Sequence, residues 1–507
     1  MTRGRDAGLY AGGLLFQQGI AFGVGVAAAR WLGPQGYGQV SLARAIYGVA
    51  VILAPLGLDL SLLRRLGESG AGRAAKVAQV QKLRQITWAV NLAVVAAMAL
   101  AGAPWLQAHL YRQPGFALDL VIAFTALPFA ADLAVLTAAC RALDRVAQAS
   151  LASLYLQPVV RTVALGGLLA LGLGARGVLA ATAVGVAAAN LVLAALLMRG
   201  RRPLRAEPPA PEPPGVAGSG SPARLFGYSG WMAAMLLTYG ALKLVDVLVL
   251  GHFRPAREVG DYAAVSAIAQ LICLYPTALS QTLGPTVAGL YAAGSRRGVR
   301  RELGRYLRLS SLACAPLLAG VAVFGPWLDL VFGARFRFDP WLCFALALGA
   351  YVSGVFGPMS VSLSMTGRHR PEFAILLTGA LASLAGCLLL APAYGGVGVA
   401  WATLGGYLLV NGVRTAVSAQ VMGGLDVELG DVAAPVACLM LALVWRALAE
   451  RFGAHDWPTA LLTGAGLLAS YTVLYGVALL SPGEVAQLLA FSRRRWRSAA
   501  RAVPSRS

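Results

Sequence analysis

Apolar runs of about 20 residues, long enough to cross the hydrocarbon of a bilayer, recur along this chain between short polar breaks. Read against bilayer thickness, they predict about fourteen membrane-spanning helices. The first six cover roughly 9–29, 38–63, 85–107, 118–140, 150–172 and 177–198. A polar stretch, Arg199–Ala223, follows, carrying a Glu-Pro-Pro-rich run at 207–214 and Gly-Ser-Gly-Ser at 218–221. Its prolines predict a semi-stiff, exposed linker. Six more spans cover roughly 227–250, 261–285, 306–331, 341–365, 373–392 and 398–420, and two last ones roughly 432–449 and 459–480. The expected fold class is an all-α polytopic membrane protein.

The first two spans form a helical hairpin. Gly33, Pro34, Gly36 and Gly38 break the helix, because glycine and proline punctuate turns. Arg30, Trp31 and Tyr37 flank the break as interfacial anchors do. A related unit returns later. Gly38 aligns with Gly260 at an offset of 222 (260 − 38), Pro55 with Pro276 at 221 (276 − 55), and Gly177 with Gly398 at 221 (398 − 177). Matches at nearly one offset point to an internal repeat, a recurrent feature of transporters. Each repeat holds six helices, so both enter the membrane in the same orientation, as parallel repeats. The predicted organisation is a six-helix lobe over 1–199, a linker over 200–223, a second six-helix lobe over 224–422, and two added helices with a basic tail over 423–507.

Composition agrees with this picture. Of 507 residues, 58% are hydrophobic and 12% are charged, and the mean hydropathy is +0.69. The net charge of +21 would suit a nucleic-acid binder. The basic residues, however, sit in short loops between apolar runs, as the positive-inside rule requires, and nucleic-acid binding is rejected. With the N-terminus in the cytoplasm, the basic residues favour the inner side by about three to one, so both termini are expected to be cytoplasmic. Arg3 and Arg5 before an apolar run resemble a signal peptide. The length of that run and the spans after it predict a retained first helix.

Catalytic signatures are missing. No G-x-x-x-x-G-K-[ST] is present to hold nucleotide phosphates, and no stretch is long enough for an ATPase domain. His109, His252, His369 and His455 are scattered and lack metal-ligand spacing, and no H-E-x-x-H occurs. The six cysteines lie singly in or beside apolar runs, which suggests neither zinc nor a disulfide framework. A non-enzyme without cofactor or metal is expected. A lipid-linked glycosyltransferase or ligase stays open.

Charges inside the spans carry the functional signal. Arg44, Arg161, Lys243 and Arg414 lie well within spans, against Asp59, Asp132 and Asp246, while Asp119 and Asp329 sit at span edges within reach of water. Arg161 is about 11 residues, or roughly 16 Å, from the cytoplasmic end of its helix. Arg44 and Arg414 lie close enough to helix ends to reach an interface. These four cations are predicted to line a cleft that grips an anionic headgroup, with Lys243 contributing only if Asp246, three residues on, does not neutralise it. Asp132, about 14 residues or roughly 21 Å into its helix, is a candidate for ion coupling. Its alternative role is as a structural partner for Arg161. Asp59 is a second coupling candidate. Pro55, Pro128, Pro158, Pro276, Pro316 and Pro358 fall inside spans, and the matched Pro55 and Pro276 are candidate hinges between inward- and outward-open states.

The stretch A-R-W-L-G-P-Q-G-Y-G-Q-V-S-L-A at 29–43 resembles the opening hairpin of the polysaccharide biosynthesis proteins, the Wzx-like O-antigen flippases, in the superfamily of the MATE exporters and MurJ. D-V-L-V-L-G at 246–251, V-G-D-Y-A at 259–263, the run 279–291, T-G-R-H-R-P-E-F at 366–373 and A-P-A-Y-G-G-V-G-V-A-W-A-T at 391–403 extend the likeness over about 9–480. The resemblance implies two six-helix lobes with two added helices. It also implies flipping of an undecaprenyl-pyrophosphate-linked oligosaccharide for exopolysaccharide or O-antigen synthesis in the cytoplasmic membrane. A polymerase and other assembly proteins are the implied partners. A MATE-like antiporter for cationic drugs, and a scaffold in a polysaccharide assembly complex, remain as alternatives. The antiporter is told apart by the sign of the buried charge: a pyrophosphate needs cations, a cationic drug needs carboxylates.

Overall fold

The computed structural model describes residues 2–55, 73–143, 145–199, 222–426, 429–451 and 456–475. The expected linker lies almost wholly outside them, as do Asp59 and the basic tail. The described chain is built of helices: α1 (Thr2–Leu53), α2 (Arg73–Ala97), α3 (Ala103–His109), α4 (Phe116–Phe124), α5 (Leu127–Ala142), α6 (Val146–Ser150), α7 (Gln157–Ala170), α8 (Gly174–Arg199) and α9 (Pro222–Phe253). They continue as α10 (Ala256–Ala269), α11 (Leu274–Ala292), α12 (Arg296–Phe324), α13 (Asp329–Phe332), α14 (Pro340–Phe356), α15 (Met359–Met365), α16 (His369–Met422), α17 (Leu429–Arg451) and α18 (Trp457–Leu474). Among the described residues, 11 helical segments are long and apolar enough to span a membrane.

Two of those segments are hairpins. In α1 the only non-helical residue is Gly33, at φ 68° and ψ 178°. After it the chain turns back, so that the Tyr37 hydroxyl lies 3.6 Å from where a Cβ on Gly25 would sit. In α16 the break is Gly395, at φ 56° and ψ −137°. Gly379 then meets Val410, Gly406 meets Ser383 and Gly386 meets Ala402, an antiparallel pairing centred on the turn. Only glycine enters such a conformation without strain. Glu258 Oε1 accepts the Gly396 N–H at 2.6 Å, placing a carboxylate at the start of the returning limb. The equivalent turn between α7 and α8 is made by Gly174, at φ 51°, which is 221 positions (395 − 174) before Gly395.

Prolines place the remaining breaks. A π-helical turn at Met98–Gly102 precedes Pro104, and another at Leu151–Leu156 precedes Pro158. A 3₁₀ turn at Gln270–Cys273 precedes Pro276. Proline lacks an N–H and clashes with the turn before it, so the preceding backbone must rearrange. The released carbonyl needs another donor in a bilayer. At Pro276 the Ile272 carbonyl, which would accept from residue 276, instead accepts from Cys314 Sγ at 3.1 Å. Pro55 differs from expectation: it lies in a turn after the last residue of α1 rather than inside a helix, so its match to Pro276 is in sequence position only.

Apolar packing is organised in separate clusters. One gathers residues of α9–α16, including Tyr262, Leu303, Cys343 and Val399. Two others gather residues of α1–α8, around Phe116 and Leu179 and around Leu136 and Leu193. A fourth packs α17 and α18 on α12 through Cys438, Leu467 and Ala319. The first and second halves touch chiefly where α1 crosses α10 and runs beside α9.

Candidate functional site

The crossing of α1 and α10 closes the Gly33 end of the bundle. A Cβ on Gly38 would overlap the Ala256 carbonyl oxygen, and one on Gly260 would overlap the Pro34 carbonyl oxygen. Two backbones therefore touch directly, as small residues allow in membranes. Arg30 donates from Nε to the Val331 carbonyl at 2.7 Å and from Nη2 to Leu330. His252 Nδ1 lies 2.9 Å from the Leu110 carbonyl. These bonds staple the two halves together on that side.

Behind this closure the four expected cations separate between the two halves. Arg161, on α7, lies within electrostatic reach of Arg44 on the returning limb of α1, and Arg44 feels the Tyr37 hydroxyl. Arg161 is half-buried, packed against Gly185 of α8. Its Nε is sealed from solvent without a hydrogen-bond partner. One helical turn from this pair, Tyr47 and Gln157 line a cavity of about 490 Å³ between α1, α5, α7 and α8, with Arg141 on its wall. Among the described residues, neither arginine pairs with a carboxylate. The expected partner of Arg161, Asp132, is taken elsewhere. Its two oxygens accept from Arg84 Nε and Nη2, each at 2.7 Å, and one also accepts from Asn190 Nδ2 at 2.9 Å. Asp132 is fully buried and clamps α2, α5 and α8 together.

The second pair lies in the other half. Lys243 and Arg414 line a cavity of about 360 Å³, together with Pro276. Lys243 is exposed and its Nζ stands 4.8 Å from the Tyr239 ring centroid, a cation–π contact. The expected neutralisation by Asp246 does not occur: Asp246 accepts from the Tyr262 hydroxyl and the Val247 N–H, both at 2.7 Å. Arg414 was expected to reach an interface. It is instead 5% exposed and held by Glu372, itself 2% exposed, with Arg414 Nε 3.2 Å from Oε2 and Nη2 on Oε1. Its charge is therefore balanced. Asp119, expected at water, is 5% exposed and paired to Arg176 at 3.4 Å.

Arg84, Asn190, Tyr262 and Glu372 were not among the expected site residues. Arg84 reads as a loop arginine because it precedes the apolar run, yet α2 begins at Arg73 and carries it deep into the helix. Glu372 likewise lies just before an apolar run, in R-H-R-P-E-F, and α16 begins at His369. In both cases the polar first turns of the helix hide its true start.

Residues 4–290 match the family described as "Polysaccharide biosynthesis protein". Over 81 residues the chain is 33% identical to the "Probable flippase AglR" of Haloferax volcanii; the match spans 16% of this chain and 17% of that protein, about a sixth of its length. In three dimensions the chain is similar to "Lipid II flippase MurJ, inward closed conformation", with a TM-score of 0.70 and 12% identity over 92% of this chain and 98% of that one. It is also similar to an inward-facing MATE family multidrug resistance transporter, with a TM-score of 0.63 and 14% identity over 80% and 94% of the two chains. The chain is a multi-pass membrane protein of the polysaccharide biosynthesis protein family, with the fold shared by MurJ and the MATE transporters.

Proposed function

We propose that this protein flips a polyprenyl-pyrophosphate-linked oligosaccharide, of the undecaprenyl type, from the cytoplasmic to the outer leaflet of the cytoplasmic membrane by alternating access, with both termini in the cytoplasm. The observation that carries the reading is Arg161: a guanidinium inside the bundle whose Nε is buried without a partner, within electrostatic reach of a second arginine, Arg44, and with no carboxylate among the described residues paired to either. Bringing two cations together in a bilayer is costly, so such a pair points to a ligand that supplies the negative charge. A pyrophosphate does so and matches the guanidinium fork. Asp119, Asp132 and Glu372 are each balanced by an arginine, which leaves Asp246, hydrogen-bonded to the neutral Tyr262 hydroxyl, as the one of these four carboxylates without a cation, and disfavours a multi-carboxylate site for cationic drugs.

Lobe closure on the Gly33 side supports alternating access, because substrate would then enter from the opposite end. The test is polysaccharide export in cells carrying Arg161→Ala or Arg161→Lys at normal membrane levels. Export is expected to fall at least tenfold in the alanine variant and substantially in the lysine variant, which keeps the charge and loses the fork. Normal export in Arg161→Ala would refute the reading.

A further inference from the structure

We propose that the cavity between α9, α11, α14, α15 and α16 is the subsite for the sugar that follows the pyrophosphate; this deepens the function proposed above and rests on it. The cavity has a different chemistry from the arginine pair. Five aliphatic hydroxyls line its wall, Thr277, Ser280, Ser353, Ser360 and Ser364, alongside Lys243 and apolar residues such as Leu236 and Leu376. Ser360 and Ser364 are four apart (364 − 360) and share one face of α15, while Ser353, on α14 before the break, lines the same cavity. Thr277 donates to the Cys273 carbonyl at 2.7 Å and Ser280 to the Thr277 carbonyl at 2.8 Å. Their remaining lone pairs are acceptors, whereas the three serines can both donate and accept. A sugar ring presents the same mixture.

Backbone geometry adds a second observation. Pro358 has no N–H to offer the Gly354 carbonyl, and both Gly354 and Gly357 line the cavity. Irregular backbone at membrane depth is tolerated where it lines a polar cavity, and broken helices mark substrate sites in transporters. The Pro276 break lines the same space. Charge then excludes the pyrophosphate as the occupant. The Arg414 fork is filled by Glu372, and Lys243 already rests on Tyr239, leaving one point charge where a pyrophosphate would need a bidentate grip. A volume of about 360 Å³ accepts a small polar ring and falls within the range of small-ligand sites, roughly 300–1,000 Å³.

The experiment uses the full chain in lipid nanodiscs and two kinds of probe: undecaprenyl pyrophosphate, and undecaprenyl-pyrophosphoryl monosaccharides carrying glucose, galactose or N-acetylglucosamine. The wild type is expected to bind at least one sugar-bearing lipid tenfold or more tightly than the sugarless one. Ser360→Ala with Ser364→Ala should erase that difference and leave binding of undecaprenyl pyrophosphate unchanged, while Ser360→Thr, which keeps the hydroxyl, should retain it. Arg161→Ala should weaken both probes. Equal wild-type affinity for all probes, or a serine variant that weakens both kinds alike, would overturn the sugar subsite and leave the flippase reading standing. Failure of the wild type to bind any of them would overturn both.

Discussion

Gly38 and Gly260 hold each other's helices at backbone contact: Gly38 lies on the Ala256 carbonyl, and Gly260 on the Pro34 carbonyl. Ala256 is 222 positions (256 − 34) from Pro34, the same offset that separates the two glycines. Each residue of the contact thus meets the repeat equivalent of its own neighbour, as a pseudo-two-fold axis between the halves requires. A side chain at either glycine has no room. Gly38→Val or Gly260→Val is expected to cost about 1–3 kcal/mol through overpacking and to disfavour the closed Gly33 side. Thermal unfolding in detergent, together with the rate of disulfide formation between engineered cysteines at Trp31 and Leu330, would report both effects. An unchanged melting temperature and an unchanged cross-linking rate would contradict this crossing.

Asp132 is a structural anchor in this arrangement. Arg84 and Asn190 both donate to it, and no solvent reaches it. Removing one member of a buried ion pair leaves the other uncompensated, at a cost of about 3–5 kcal/mol. Asp132→Ala and Arg84→Ala should therefore each lower the melting temperature strongly, and the double variant by less than the two losses combined. If Asp132→Ala folds normally and loses only its dependence on an ion gradient, Asp132 is a coupling residue after all.

The Glu372–Arg414 pair ties the two limbs of α16 together beside the serine-lined cavity. Arg414→Met is expected to destabilise by about 3–5 kcal/mol, and Glu372→Met with Arg414→Met to recover most of that loss, because the pair's attraction does little more than repay its desolvation. Equal losses in the single and the double variant would mean that Arg414 acts through another partner.

Topology follows from the distribution of arginines, which the positive-inside rule reads as cytoplasmic termini. A phosphatase active only outside the cytoplasm, fused after Ser507, should be inactive, and the same enzyme inserted at Gly115 should be active. An active C-terminal fusion would require an odd number of crossings.

Much of the bundle was legible from local chemistry. Apolar runs mark the spans because hydrocarbon tolerates little else. The Gly33-Pro34 turn, the breaks before Pro158 and Pro276, and the repeat read at Gly177 and Gly398, whose turns fall three residues earlier at Gly174 and Gly395, follow from what glycine and proline do to a backbone, whatever surrounds them. Glu372 and Arg84 escaped because apolar length marks only the hydrocarbon part of a helix, and α16 and α2 start earlier.

The sequence by itself determined the repeat and the places where helices must bend, since both depend on residue type and spacing along one chain. Tertiary structure alone decided which charges meet. Asp132 took Arg84 rather than Arg161, Arg414 took Glu372, and Asp246 took Tyr262, leaving Arg161 without a carboxylate among the described residues. Ion pairing acts over a few ångströms between helices far apart in sequence. Periodicity gives the face on which a charge lies, while only packing gives the neighbour that this face meets.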